Sequence, residues 1–154
     1  MAQFSEANSV RDFIRDLVKS IDVQFVPGNE LPRRTDEVLL EGVLKGALMR
    51  LNPEIEKDPA KADEVIYNLR AILIAARNSP HPVVANEEFM AWLTGQKSMP
   101  FGPNGEHTTV RLIDFDDLDD DSSNQWIVST EVTYKQGRLE KRFDLVLWCN
   151  GLPL

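Results

Sequence analysis

The hydrophobic positions in the first part of the chain recur at helical spacing. Apolar residues stand three and four positions apart, as on one face of a helix, and Ser5 precedes them in a position suited to capping. These residues are Val10, Phe13, Ile14, Leu17, Val18 and Ile21. The pattern predicts an amphipathic first helix. A short β-prone run follows at residues 22–26, and turn-forming residues end it at 27–29.

Three more helices are predicted before residue 96. The second runs from near Thr35 to the proline at position 53, which cannot continue it. The third opens at Asp58 and Pro59, with the aspartate as cap and the proline in the first turn. The fourth has Asn86 as its cap and a glycine at its stop, residue 95.

The pattern changes to alternation after residues 100–105, a segment of turn-forming residues. Three later runs are predicted strands. They span residues 107–113, 126–134 and 139–149. Residues 145–149 are apolar on both faces, which predicts a central strand covered above and below. Asn150-Gly151 then predicts a hairpin, because both central residues of a type I′ turn need positive φ.

The chain is expected to form one mixed α/β domain over residues 1–154. Residues 1–95 are predicted to be mainly helical and residues 106–154 mainly strands, with the helices packed on a central mixed sheet. Only residues 152–154 follow the last turn, so the strand that should return beside residues 139–149 is missing. This observation predicts a fragment or a truncated gene, with a sheet incomplete at its C-terminus.

Composition places the chain among soluble globular proteins, with 42% hydrophobic and 27% charged residues. The sequence has no apolar run long enough for a membrane span and no secretory signal, which predicts a cytoplasmic protein. The formal net charge of -8 argues against a domain that grips nucleic acid by itself, because such affinity comes mainly from neutralised phosphates. Cys149 is the only cysteine and is predicted to be a packing residue.

Asp144 is the main candidate for chemistry. A carboxylate at the mouth of an apolar strand needs a partner, a metal ion or an exit to water. One interpretation pairs it with Lys141 or Arg142 at the edge of the strand; the other makes it a metal ligand. Lys135, Arg138, Lys141 and Arg142 form a local basic excess that suits either a solvated surface or passing DNA phosphates.

Other polar features carry weaker signals. The acidic run at residues 114–121 lacks the glycine and closing glutamate of an EF-hand loop, so a solvated turn is favoured over a calcium site. His81 and His107 have no cysteine partners, which argues against zinc. Arg33 and Arg34 could contact DNA, but two arginines are weak evidence. No glycine-rich phosphate loop of the Walker type is present.

Several segments, in their order and spacing, resemble the N-terminal region of type I restriction enzyme R (restriction) subunits. The longest are Met-Pro-Phe-Gly-Pro-Asn-Gly-Glu-His at 99–107, Val-Arg-Leu-Ile-Asp-Phe-Asp-Asp at 110–117 and Arg-Phe-Asp-Leu-Val-Leu-Trp-Cys-Asn-Gly-Leu-Pro-Leu at 142–154. Leu-Asn-Pro-Glu at 51–54, Ala-Asp-Glu-Val at 62–65 and Asn-Glu-Glu-Phe at 86–89 fit the same family. The resemblance covers nearly the whole chain.

The resemblance implies a nuclease of the PD-(D/E)XK group, with helices around a mixed sheet. Asp144 matches the aspartate of that motif, and Glu6 is the candidate for a glutamate contributed by the first helix; both would be Mg²⁺ ligands and catalytic residues. Lys141 and Arg142 would contact DNA. The Glu-x-Lys pair that completes the motif lies, in the family, on the strand after Asn-Gly-Leu-Pro-Leu, and these 154 residues do not contain it.

The implied function is cleavage of unmodified foreign double-stranded DNA with Mg²⁺ after ATP-driven translocation, in a complex with methyltransferase and specificity subunits. ATP would bind in a translocase part that is not in these residues. The 154 residues alone are expected to be inactive. A rival hypothesis is a non-enzymatic docking or decoy protein of a restriction complex, and a third is an unrelated small binding module.

Overall fold

A computed structural model describes residues 6–21, 23–118 and 123–154, with side chains from residue 9 onward. In chain order its elements are α1 (Glu6–Ser20), β1 (Gln24–Phe25), a 3-10 turn (Gly28–Glu30), α2 (Glu41–Leu51), α3 (Pro53–Lys57), α4 (Ala60–Asn78), α5 (Val83–Leu93), β2 (Ser98–Phe101), β3 (Glu106–Thr109), β4 (Trp126–Gln136), β5 (Leu139–Cys149) and β6 (Leu152–Pro153). The predicted mixed α/β class is confirmed.

The chain divides into two compact units. The first combines Met1–Leu40 with Gln125–Leu154 and is called the sheet unit; the second, Glu41–Asn124, is called the helical unit. The sheet unit holds a four-stranded sheet in the order β1-β4-β5-β6. β1 runs parallel to β4, while β4, β5 and β6 are antiparallel neighbours, so the sheet is mixed as predicted. The single-domain organisation stays a prediction.

The turn between β5 and β6 has the predicted geometry. Asn150 and Gly151 have φ values of 52° and 84°, both in the left-handed region that a type I′ turn requires. The buried Asn150 side chain accepts a 2.7 Å hydrogen bond from the Gln125 backbone N–H, and the Asn150 N–H donates to the Gln125 carbonyl at 2.8 Å. Local turn chemistry and a contact distant in sequence therefore favour the same conformation.

One face of β5 is not covered by the described residues. Trp148 and Cys149 are buried as predicted, but Leu145 is 51% and Leu147 is 39% exposed. Phe143 lies on the same face, because side chains two residues apart in a strand point to the same side, and it is also exposed. The expectation that both faces of β5 are covered is therefore wrong for this face.

Helix α1 also presents apolar side chains to solvent. The helix forms as predicted, and Val18 is buried. Val10, Phe13 and Leu17, on the same predicted face, are each at least half exposed. The amphipathic pattern is real, but most of its apolar face is left uncovered by the described residues.

The second helix begins at Glu41 rather than near Thr35. Residues 35–40 instead form backbone hydrogen bonds within the sheet unit. The Thr35 carbonyl accepts a 2.8 Å hydrogen bond from the Lys135 N–H. The Leu40 N–H donates to the Gly151 carbonyl at 2.9 Å. These backbone groups have partners far along the chain, which helix periodicity alone cannot reveal.

Two predictions about proline-containing segments in the helical unit need correction. Pro53 ends α2 as predicted, but it also occupies the first turn of α3, a short helix that was not predicted. Helix α4 begins at Ala60 with Pro59 as its cap, one position later than the predicted pattern with Asp58.

Helix α5 begins before its predicted cap. It starts at Val83, so Asn86 lies inside the helix, where its N–H donates to the Pro82 carbonyl at 2.9 Å. The predicted stop is confirmed, since Gly95 has a φ of 70° and its N–H donates to the Trp92 carbonyl.

The predicted strand at 107–113 is shorter in the structure. β3 ends at Thr109, and the chain then leaves the β2–β3 hairpin. The buried Asn52 amide replaces a neighbouring strand there: its Oδ1 accepts from the Arg111 N–H and its Nδ2 donates to the Arg111 carbonyl, both at 2.8 Å. Asn124 makes the same pair of bonds to Asp114. Side-chain amides therefore bond to backbone groups for which the alternating pattern predicted hydrogen bonds to a neighbouring strand.

We expect Asn52→Ala to lower the free energy of unfolding by about 2 kcal/mol, because the Arg111 N–H and carbonyl lose their partner. Urea denaturation followed by circular dichroism measures the loss. Asn78→Ala, at the exposed C-terminal end of α4, is the matched control and should change stability by less than about 0.5 kcal/mol. Equal effects of the two variants would contradict the bridging role of Asn52.

Candidate functional site

Asp144 lies within β5 and is exposed. The pairs Thr130↔Leu145 and Val132↔Phe143 flank it, so the residue across the ladder is Glu131. That one pair is missing from the ladder, because Glu131 has a φ of 54°, in the left-handed region that is unfavourable for a glutamate. Two acidic residues therefore occupy opposite positions at a break in the β4–β5 ladder.

Glu131 connects two arginines from different elements. Its Oε2 lies 3.6 Å from Nη1 of Arg11 on α1, and its Oε1 lies 4.0 Å from Nη1 of Arg142 on β5. All three side chains are between about two-fifths and two-thirds exposed, so these ion pairs contribute little stability. In the described part of the chain, Arg142 is thus paired with Glu131 rather than with Asp144.

The unusual backbone conformation at Glu131 occurs where Gly28 approaches β4 closely. A Cβ placed on Gly28 would lie 2.5 Å from the Glu131 carbonyl oxygen and 2.7 Å from that of Thr130. Only glycine allows such a close approach of the 3-10 turn to β4. A non-glycine residue at positive φ costs roughly 1–3 kcal/mol and persists only where its surroundings hold it, and such residues cluster at functional sites.

The predicted site residues are only partly brought together. Arg142 and Asp144 are two residues apart on β5 and share one face, whereas Lys141 points to the opposite face with Phe143. Glu6 begins α1, but its side chain lies outside the described residues. Among the described residues no group of three or more metal-binding side chains occurs. The joint assignment of Asp144 and Glu6 to Mg²⁺ stays a prediction.

Arg33 has a structural role. Its guanidinium donates to the Glu37 carbonyl at 2.5 Å, to the Arg34 carbonyl at 2.9 Å and to the Thr133 carbonyl of β4. Burial lowers the pKa of Arg33, and the carboxylate of Glu37 partly opposes that shift. A guanidinium engaged by three carbonyls fastens residues 33–37 to the sheet, so the earlier suggestion of DNA contact does not suit Arg33.

The acidic run keeps its interpretation as a solvated turn over its described positions. Asp116 and Asp117 are exposed, and Asp116 lies 3.7 Å from Arg111. Residues 119–122 lie outside the described part of the chain. His107 contacts the Ser98 hydroxyl at 3.2 Å across the β2–β3 hairpin, which is an ordinary cross-strand contact.

Cys149 is fully buried, and burial raises the pKa of its thiol from 9.0 to about 11. The thiolate is the nucleophilic form, so this environment makes the side chain unreactive. The structure thus gives Cys149 the packing surroundings expected of it.

We expect folded Cys149 to react with a thiol reagent at about pH 8 at least 100-fold more slowly than the unfolded chain. Because its folded pKa lies above the unfolded value, its stabilising effect is complete below pH 9.0 and is lost as pH rises toward about 11. Denaturation midpoints of the wild type and Cys149→Ala across this range test the expectation. A midpoint difference independent of pH would contradict it.

Residues 3–154 match the family described as "Type I restriction enzyme R protein N terminus". The chain belongs to this family. The match supports a type I restriction enzyme, hence a nuclease, as the protein to which these residues belong, and it agrees with the resemblance carried by the segments around Asp144. No curated protein and no solved structure matches the chain. Within the described residues, no helix is both long and apolar enough to cross a membrane.

Sequence reasoning missed three charged residues of this R-subunit N terminus that line one pocket with Arg142. Arg11 and Arg15 are four residues apart on α1, a spacing that places them on one helix face and could have been noticed. Glu131 gave no signal, because its left-handed conformation depends on Gly28 approaching from a distant part of the chain.

Proposed function

We propose that this chain forms the N-terminal part of the nuclease domain of a type I restriction R subunit that cleaves unmodified foreign double-stranded DNA. The match to the R-subunit family over residues 3–154 is the observation that carries the proposal. In this proposal cleavage follows ATP-driven translocation by another part of the polypeptide, in a cytoplasmic complex with methyltransferase and specificity subunits.

The local geometry at β5 and β6 supports a role for Asp144. The Leu154 N–H donates to the Leu147 carbonyl at 2.9 Å, in register with the pair Trp148↔Pro153. A strand continuing in this register runs antiparallel along β5 toward Asp144. The family resemblance puts the Glu-x-Lys pair on such a strand, which would bring it beside the Asp144 carboxylate.

The donor groups near Asp144 suit a hard divalent cation. Asp144 and Glu131 offer carboxylate oxygens on neighbouring strands, and Mg²⁺ prefers oxygen ligands. We assign Asp144 and Glu6 as Mg²⁺ ligands, and Arg142 and Lys141 as contacts to DNA. Bound Mg²⁺ would neutralise charge on the phosphate and acidify an attacking water.

The chain's own side chains would have distinct tasks. Asp144, exposed at the break in the β4–β5 ladder, places a carboxyl group where a cation can reach it. Arg142, on the same face, presents a guanidinium to DNA phosphates, which Arg recognises with two parallel hydrogen bonds. Because these 154 residues include no Glu-x-Lys pair, we expect them to cleave nothing by themselves.

The test is DNA cleavage by the complete R subunit that carries this sequence, assembled with methyltransferase and specificity subunits. Unmodified plasmid with ATP and Mg²⁺ should be cut, while methylated plasmid or added EDTA should prevent cutting. A complex that hydrolyses ATP on unmodified plasmid and leaves the DNA intact would contradict the proposal.

That outcome would favour the rival function, a docking or decoy protein of a restriction complex. The exposed apolar residues Phe13 and Leu17 of α1 and Phe143 and Leu145 of β5 are the observation that favours it. Co-purification with the other restriction subunits without cleavage would be its signature.

A further inference from the structure

A concave pocket of about 490 Å³ lies in the sheet unit between α1, the turn after β1, β4 and β5. We call it the arginine pocket. Its polar lining comes mainly from Arg11, Arg15, Asn29, Glu131, Thr133 and Arg142. Arg142 is the one residue among these for which the sequence predicted a role in binding.

The pocket brings three guanidinium groups together. Arg11 and Arg15 are one helical turn apart, so they lie on the same face of α1, and Arg142 reaches the pocket from β5. Glu131 is the one carboxylate among the lining residues. The lining therefore carries a local excess of positive charge in a chain whose formal net charge is -8.

Arg15 has hydrogen-bonding capacity that the described residues do not use. The Nε of Arg15 is buried and has no hydrogen-bond partner among the described residues. Its Nη1 lies 3.2 Å from Asp12 Oδ1 and its Nε lies 3.6 Å from Asp16 Oδ1; these side chains are between 41% and 69% exposed, so the ion pairs are weak. Guanidinium groups bind phosphate through a fixed fork of N–H donors. A phosphate group, with several acceptor oxygens, therefore matches this pocket better than a monatomic anion does.

We propose that the arginine pocket binds a phosphate group of the DNA backbone, an inference that rests on the proposed nuclease function. Asn29 and Thr133 supply further hydrogen-bonding groups at the wall of the pocket. Glu131 forms ion pairs with Arg11 at 3.6 Å and with Arg142 at 4.0 Å, so its carboxylate competes with the incoming anion.

The pocket lies where it can position a strand for cleavage. Arg142 and Asp144 share one face of β5 and are two residues apart, a distance of roughly 7 Å along a strand. A phosphate held by Arg142 and the α1 arginines would place a neighbouring phosphodiester near Asp144. Contacts of this kind fix the register of DNA on a protein without reading its sequence.

The test is binding of a fluorescein-labelled DNA duplex to the purified chain, measured by anisotropy over a series of salt concentrations. We expect Arg11→Ala/Arg15→Ala to weaken binding roughly tenfold. The slope of log affinity against log salt concentration should fall by about one unit. Lys57→Ala/Arg77→Ala removes the same charge from exposed positions of the helical unit and should leave the slope unchanged.

A second variant works in the opposite direction. Glu131→Gln removes the competing carboxylate and should tighten duplex binding several-fold, a gain that misfolding cannot produce. A titration with inorganic phosphate, followed through the Nε–H resonance of the Arg15 side chain, distinguishes free phosphate from DNA as the source of the ligand. Shifts with both phosphate and duplex support the proposal, and shifts with free phosphate alone overturn it.

Two results identify failure of the pocket without involving the nuclease. Undetectable duplex binding by the wild type at low salt, or equal salt slopes for the two double variants, overturns the pocket proposal. Loss of cleavage on Asp144→Ala would still support the nuclease in that case. Conversely, a complex that cleaves normally without the Asp144 carboxylate would contradict the assigned nuclease site. The pocket proposal would still stand if the duplex-binding measurements supported it.

Discussion

Asp144→Ala is expected to lower Mg²⁺-dependent cleavage by the assembled restriction complex by roughly 10²–10³-fold, the usual effect of removing one group that stabilises transition-state charge. Asp144 is exposed, so its loss should change the stability of the chain by less than about 0.5 kcal/mol. ATP hydrolysis on unmodified plasmid should continue, because translocation is assigned to another part of the polypeptide. The readout is the rate of plasmid linearisation.

Glu140→Ala provides the matched control. Glu140 lies on β5, on the same face as Asp144, and is exposed; it pairs weakly with Lys135 at 3.8 Å. Its removal changes the net charge by the same amount at a position away from the ladder break. Cleavage should stay within about twofold of wild type. If Glu140→Ala impairs cleavage as much as Asp144→Ala, then net charge rather than a specific carboxylate is responsible.

The sequence could predict those features whose causes are local. The bounds of β5 and the type I′ turn at Asn150 and Gly151 follow from alternation and from two residues that tolerate positive φ. The stop of α5 at Gly95 has the same local origin. Asp144 could be located on its strand for this reason.

The predictions that failed concern residues whose hydrogen-bond partners are distant in sequence. Residues 35–40 carry helix-like apolar spacing, yet the Thr35 carbonyl and the Leu40 N–H bond to β4 and to the β5–β6 turn. The end of β3 depends on the amide of Asn52, which lies more than fifty residues away in the chain. Periodicity describes how a segment could fold alone and contains no information about which distant group will take its hydrogen bonds.

The candidate site shows the same division. Alternation along β5 places Arg142 and Asp144 on one face and Lys141 on the other, which could have been stated from the sequence. The position of Glu131 across from Asp144 required the β4–β5 register. Its left-handed conformation required Gly28, whose contact with β4 no local pattern reveals. The arginine pocket depends on both, since Glu131 and Gly28 are among its lining residues.

Gly28→Ala is expected to lower the free energy of unfolding by about 3 kcal/mol, since overpacking against atoms that cannot yield costs up to this amount. The new Cβ would meet the carbonyl oxygens of Thr130 and Glu131 at 2.7 and 2.5 Å, and both are backbone atoms that cannot move without shifting β4. For a domain of this size the melting temperature should fall by roughly 6–12 °C. Urea denaturation and thermal melts measure both quantities.

Gly46→Ala is the matched control and should have the opposite sign. Gly46 lies inside α2, and nothing lies within 4 Å of a Cβ placed there. Alanine in a helix interior is favoured over glycine by about 0.5–1 kcal/mol, so this variant should be more stable than wild type. Opposite signs for the same chemical change would show that the 3-10 turn touches the β4 backbone at the ladder break. A Gly28→Ala protein as stable as wild type would mean that this close approach is absent. The conformation of Glu131 would then lose the support of Gly28.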